Sequence, residues 1–237
     1  YLVWGEFADW GSGGHGGASE EQRPTPTFIT QWLEALQRDY SHPALVGWCG
    51  INETAEVRSD RIPVLDDVIR GMFLAAKAID RTRPVLDASG YSHRVPETDV
   101  YDAHDYEQDP GVFRANHAGL EAGKPFYNGR GADWSTPYGG QPFFVSEFGG
   151  AWWNPDATPG TASWGYGNRP RTADEFLARF EALCGVLLEH PAMFGYCYTQ
   201  LTDVFQEQNG LFRFDRTPKF DLARLRIAQQ RRAAIED

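Results

Sequence analysis

Two glutamates stand out by residue type and position. Asn52-Glu53 follows the apolar run Ala44–Ile51 (ALVGWCGI), and Glu147 lies inside Phe143–Phe148 (FFVSEF). A carboxylate among Phe143, Phe144, Val145 and Phe148 is costly to bury without a partner or a task. Taken singly, each glutamate fits a helix cap or an arginine-paired group just as well. Taken together, they suit chemistry that needs one protonated carboxyl to assist a leaving group and one ionised carboxyl to attack. Cleavage of a glycosidic bond with retention is such chemistry, and it wants the pair about 5–5.5 Å apart. Repulsion at that range raises one pKa, which is what the acid requires.

The elements that must position this pair alternate along the chain. Short apolar runs at Tyr1–Phe7, Ala44–Ile51, Pro84–Ala88, Val100–His104, Phe143–Phe148 and Gly195–Leu201 read as six strands, the first of them buried. Helices are predicted over Thr27–Tyr40, Pro63–Asp80, Thr172–His190 and Asp221–Ile235. Phe28, Trp32, Leu33 and Leu36 form the apolar face of the first. His42-Pro43 stops it, because the residue before proline resists the helical region. Thr172 and Glu175 have capping-box spacing. Strand–helix alternation predicts parallel βα units and an α/β fold. In a barrel of that kind, loops at the strand C-termini build the site, and Glu53 and Glu147 both sit near such ends. The Gly-rich stretch Trp10–Gly17 lacks the lysine and spacing of a phosphate loop and reads as a barrel loop. The stretch between Val100 and Phe143 reads as a long functional or insertional linker, Gly/Asn-rich over residues 119–141.

Composition excludes several classes. The net charge of −11 argues against a nucleic-acid partner, which needs clustered Lys and Arg. No apolar run approaches the roughly 18 residues of a membrane span. Eight Trp and 14% aromatic residues suit sugar-stacking loops, and equally a large aromatic core. Cys49, Cys184 and Cys197 lack metal-ligand spacing and read as buried thiols, which leaves the compartment open. His15, His93, His104 and Asp105 are ligand types, but no paired-histidine motif lies on a strand, so no metal is expected. Tyr1 begins inside an apolar segment without an initiator Met, so an upstream part of the polypeptide is expected.

Four segments carry a resemblance. HPALVGWCGINE (His42–Glu53), PFFVSEFGG (Pro142–Gly150), YTQLTDVFQEQNGLFRFDRTPK (Tyr198–Lys219) and YLVWGEF (Tyr1–Phe7) occur in order and at suitable spacing. They resemble strands four, seven, eight and three of glycoside hydrolase family 2 of clan A, which contains β-galactosidases, β-glucuronidases and β-mannosidases. The resemblance covers essentially all of residues 1–237. It implies a (β/α)₈ TIM barrel, incomplete here: six of eight strands, from strand three to the last helix, with the first two βα units and the N-terminal β-sandwich domains upstream. It implies Glu53 as acid/base, Glu147 as nucleophile, and Asn52 as the partner of the sugar 2-hydroxyl, a position that an ordinary turn asparagine also fits. His104 and Tyr106 resemble the place where the family sets a tyrosine against the nucleophile; as plain sequence they fit core or loop polar groups too. Trp153, after the nucleophile strand, suits either a sugar platform or loop packing. The expected activity is retaining hydrolysis of terminal β-linked neutral sugars, galactose- or mannose-like, with a carbohydrate substrate and no cofactor. A uronic acid is disfavoured, because the family's Asn-x-Lys is replaced by EQNGLF at Glu207–Phe212. The family's strand-eight Trp is also missing from YCYTQLTD. The alternatives are a catalytically incompetent barrel that binds sugars or scaffolds its neighbours, and, on the same barrel, a metal-dependent hydrolase. Homo-oligomerisation is compatible with the sequence.

Overall fold

The computed structural model describes residues 2–8, 26–53, 64–129, 131–158, 160 and 162–237. The Gly-rich stretch with His15, and Pro63, lie outside the described residues. The arrangement is mixed α/β with parallel sheets. The chain divides into two compact units, Tyr1–Ala103 with Tyr127–Phe143, and His104–Phe126 with Phe144–Asp237.

In the first unit, strand β1 (Val3–Glu6) pairs parallel with β2 (Leu45–Cys49), which pairs parallel with β3 (Val85–Leu86). The register slips between Val3 and Trp4, where Trp4 lies across Gly47: a Cβ on Gly47 would sit 1.9 Å from the indole. Helix α1 (Pro26–Asp39) follows β1 in sequence, and α2 (Val64–Ile79) follows β2. Their apolar faces meet the sheet in one core of Trp32, Leu36, Trp48, Ile51, Ile69, Met72 and Val85. Two indoles are fixed by hydrogen bonds, Trp32 Nε1 to the Met72 carbonyl (3.1 Å) and Trp48 Nε1 to Asp80 Oδ2 (2.9 Å). Asp80 is buried, but Thr82, Trp48 and Arg83 bond its carboxylate and hold its pKa well below the usual range. Among the described residues β1 has one strand neighbour, and Val3 and Glu6 are exposed, which corrects the expectation of a buried strand.

The second sheet has the order β4–β5–β6, with β4 at Tyr101–Asp105, β5 at Phe143–Gly149 and β6 at Met193–Thr199. The central strand β5 is buried along almost its whole length, as expected of a strand covered on both faces. The stretch after β4 is not a bare linker. Asp109 caps helix α3 (Pro110–His117) through the Gly111 and Val112 amides, and Pro110 supplies a preset φ in its first turn. A 3₁₀ turn (Leu120–Ala122) and a one-turn helix α4 (Gly131–Trp134) follow.

Helix α5 (Ala173–Leu188) starts where Thr172 accepts the Glu175 amide, but Glu175 Oε2 accepts from the Arg171 amide, so the box is only half formed. Helix α6 covers Leu222–Gln229, shorter than expected, because the basic tail has no apolar face to bury. Phe113, Phe148, Phe176, Phe180 and Leu183 make the second core. Cys49 and Cys184 are buried and burial raises both thiols, Cys184 to about 12; Cys197, on β6, is exposed, against expectation. Among the described residues no helix is long and apolar enough to cross a membrane.

Candidate active site

Side chains alternate across a strand, so β4 divides its residues between two faces. Asp105 faces α3, where Asn116 Nδ2 donates to its Oδ2 (2.9 Å) and His117 Nε2 lies 3.1 Å away. His104 and Tyr106, one position to either side, therefore share the opposite face. On β5 the same alternation sends Phe148 towards Phe113 of α3, ring centroids 6.0 Å apart, and Glu147 the other way. The outcome is one cluster: the Tyr106 hydroxyl donates to Glu147 Oε2, and His104 Nδ1 lies 3.3 Å from the same oxygen. Burial, and then the Glu147 charge, push the Tyr106 hydroxyl far above its ordinary value. It therefore stays protonated and donates, which favours the ionised carboxylate.

Two glycines end β5 behind Glu147. Gly149 holds φ +79°, and a Cβ there would lie 2.3 Å from the Tyr198 ring. Only glycine fits. The chain can thus leave the strand two residues after the carboxylate. Tyr106 is backed by Tyr166, stacked at 3.5 Å with planes 8° apart.

In the first unit, Asn52 and Glu53 follow β2, both half-buried. Glu53 has φ +40°, a left-handed conformation that costs free energy in a residue with a side chain and gathers at functional sites. Ser89, just beyond β3, ties this end of the sheet together. Its amide bonds the Ile51 carbonyl (2.9 Å), and its hydroxyl donates to Glu6 Oε1 (2.6 Å) and lies 3.3 Å from Asn52 Oδ1. The Glu53 amide donates to that hydroxyl at 3.4 Å. Behind Ser89 lies a buried imidazole: His93 Nδ1 is 3.0 Å from Asp87 Oδ1, and Nε2 is 3.2 Å from Asp102 Oδ1. Burial opposes its charge, but the two aspartates outweigh it and raise its pKa to about 10. Gly90 donates its amide to both oxygens of Asp102.

Within the second unit Glu147, His104 and Tyr106 come together, and within the first Asn52 and Glu53 stand beside Ser89 at the end of β2. Trp153 packs against Phe220, ring centroids 6.4 Å apart, with its amide on the Gln208 carbonyl and its carbonyl accepting from Lys219 Nζ. That contact fits the packing alternative. Both ring nitrogens of His93 face aspartates, Asp87 on one side and Asp102 on the other. Sequence reasoning missed Glu6, Ser89 and Tyr166. Ser89 and Glu6 carried a usable signal, being polar residues at the C-terminal ends of predicted strands; Tyr166 lies in a loop whose path no periodicity reveals.

No family model and no curated protein matches the sequence. Solved structures do. A Ruminococcus gnavus β-glucuronidase in complex with an N1-substituted uronic isofagomine aligns at TM-score 0.58 and 17% identity, over 86% of this chain and 35% of that one. Bacteroides uniformis β-glucuronidase 2, covalently bound to a cyclophellitol-6-carboxylate aziridine, aligns at TM-score 0.62 and 19% identity, over 92% and 27%. An uncultured Clostridium sp. β-glucuronidase aligns at TM-score 0.61 and 16% identity, over 97% and 40%. The chain therefore has a β-glycosidase-like fold, and it spans between about a quarter and two fifths of the length of these relatives.

Proposed function

We propose that this chain carries both catalytic carboxyl groups of a retaining β-glycosidase of the family 2 type, acting on a terminal neutral sugar, galactose- or mannose-like. Residues 1–237 form the C-terminal part of its catalytic barrel, strand three to the last helix, and β-sandwich domains precede them in the polypeptide. Glu53 and Glu147 flank the bond to be cut. Glu147, ionised, attacks the anomeric carbon while Glu53 gives its proton to the departing oxygen. Glu53 then takes a proton from water, whose oxygen attacks the same carbon and frees the Glu147 carboxylate. Asn52 holds the sugar 2-hydroxyl.

The observation that carries this reading is the convergence of Tyr106 and His104 on one oxygen of Glu147. A hydrogen bond donated to the carboxylate favours its ionised form, which is what a nucleophile requires. Neutral specificity is supported by Glu207–Phe212, which has no lysine, and by Lys219, whose ammonium is committed to Asp203 (2.6 Å) and the Trp153 carbonyl (2.7 Å). The three structures above are glucuronidases, so a glucuronide belongs in the test. The full-length gene product should release nitrophenol from a nitrophenyl β-galactoside or β-mannoside, and not from the β-glucuronide. Cleavage of the glucuronide alone would overturn the neutral-sugar reading. Failure to cleave any of the three, by a folded protein, would favour a sugar-binding or scaffolding barrel.

A further inference from the structure

Outward from Glu147 the second unit carries aromatic rings in sequence. Tyr166 stacks on Tyr106, and Trp164 stands edge-on to Tyr166 at 5.7 Å with 46% of its surface exposed. Trp164 and Tyr166 are two positions apart on an extended segment, with Gly165 between them. A Cβ on Gly165 would lie 2.5 Å from Trp152 Cα, so the segment is pressed closely on the chain behind it; the Tyr166 ring packs on Tyr106, while Trp164 is the exposed one.

Its backbone is pinned at three points. The Trp164 amide bonds the Gln206 carbonyl (2.8 Å), the Gln208 amide bonds the Trp164 carbonyl (2.9 Å), and the Tyr166 amide bonds the Gly150 carbonyl (2.8 Å). The turn strapped to Trp164, Val204–Glu207, holds Phe205 at φ +49° with its ring 74% exposed and 5.4 Å from the Phe214 ring. A phenylalanine in the left-handed region is strained, and a ring that exposed returns little to the fold.

We infer that Trp164, with Phe205 on the adjoining turn, forms a stacking platform for a second sugar ring, so that the substrate is an oligosaccharide rather than a simple alkyl glycoside. The inference rests on the glycosidase reading above. An indole face is flat and apolar and meets the C–H face of a pyranose; the pinned backbone makes the platform rigid beforehand, which lowers the ordering cost of binding. The unbroken run of rings from Glu147 to Trp164 ties this exposed surface to the reacting centre and distinguishes it from scattered surface apolar residues.

The test compares a methyl β-glycoside with disaccharides of the same terminal sugar (lactose and β-1,4-mannobiose), using the full-length protein, W164A, W164F and F205A. W164A should lower kcat/KM for the preferred disaccharide about tenfold or more, the worth of one apolar pocket contact. The methyl glycoside should change less than about twofold, and W164F should restore most of the loss. Equal losses on both substrates, or none on either, would overturn the platform while leaving the hydrolase intact. Calorimetric titration with the same disaccharides separates the two claims. Trp164-dependent binding without cleavage would overturn the hydrolase and keep the platform, and absence of both binding and cleavage would overturn both.

Discussion

A carboxylate proposed to attack has to remain ionised, and at Glu147 Tyr106, just beyond β4, favours that state. Tyr106 donates to Oε2, and His104 approaches the same oxygen. Losing one donor to the charged form raises a carboxyl pKa. Tyr106→Phe should therefore lower kcat/KM roughly 10- to 100-fold, a donor loss of about 1.4–2.7 kcal/mol. It should also move the acid limb of the pH–rate profile to higher pH; a limb that stays put would mean that Tyr106 does not act on Glu147. Glu53→Gln should abolish hydrolysis of substrates with poor leaving groups and spare activated aryl glycosides more. Glu147→Ala should lose both and be rescued by azide. Ordinary turnover by Glu147→Ala would reverse the assignment.

At the scale of elements, the site depends on where strands stop. Gly149 combines φ +79° with a ring where its Cβ would stand, so Gly149→Ala should destabilise the fold by about 1–3 kcal/mol, read from chemical unfolding. An unchanged midpoint would mean that the segment relaxes freely. These elements differ in how far the sequence reveals them. FFVSEF and ALVGWCGI are apolar enough on both faces that their strands, and the glutamates near their ends, can be read directly. Helix α3 was missed because its start is marked by local chemistry, the Asp109 cap and Pro110, rather than by a long apolar period. The half-formed box at Thr172 shows the reverse: spacing suggested a reciprocal pair, and the glutamate found a nearer amide at Arg171. Trp164 and Tyr166 owe their places to Gly165 and to backbone bonds with distant residues, Trp164 with Gln206 and Gln208 and Tyr166 with Gly150. No window of sequence contains that information.

At the scale of the whole molecule, stability rests in part on one buried charge. His93 sits between Asp87 and Asp102, and Gly90, bonded to Asp102, adjoins Ser89, which carries Glu53's amide and Glu6. Its pKa is raised from 6.5 to about 10 on folding, so its contribution is complete below about 6.5 and is lost as pH rises through about 10. The thermal midpoint should fall across that window. His93→Gln should flatten the decline and cost about 3–5 kcal/mol at neutral pH, because two buried carboxylates lose their cation. A midpoint independent of pH up to 10 would place a neutral imidazole there.

The proposed mechanism turns on which side chain becomes bonded to the sugar. The most direct measurement is trapping with a 2-deoxy-2-fluoro β-glycoside of the preferred sugar, followed by peptide mapping of the inactivated full-length protein. The label should fall on Glu147, in the peptide containing FFVSEFGG, with one equivalent at full inactivation. A label on Glu53, on Glu6, or on no carboxylate despite inactivation would contradict the mechanism.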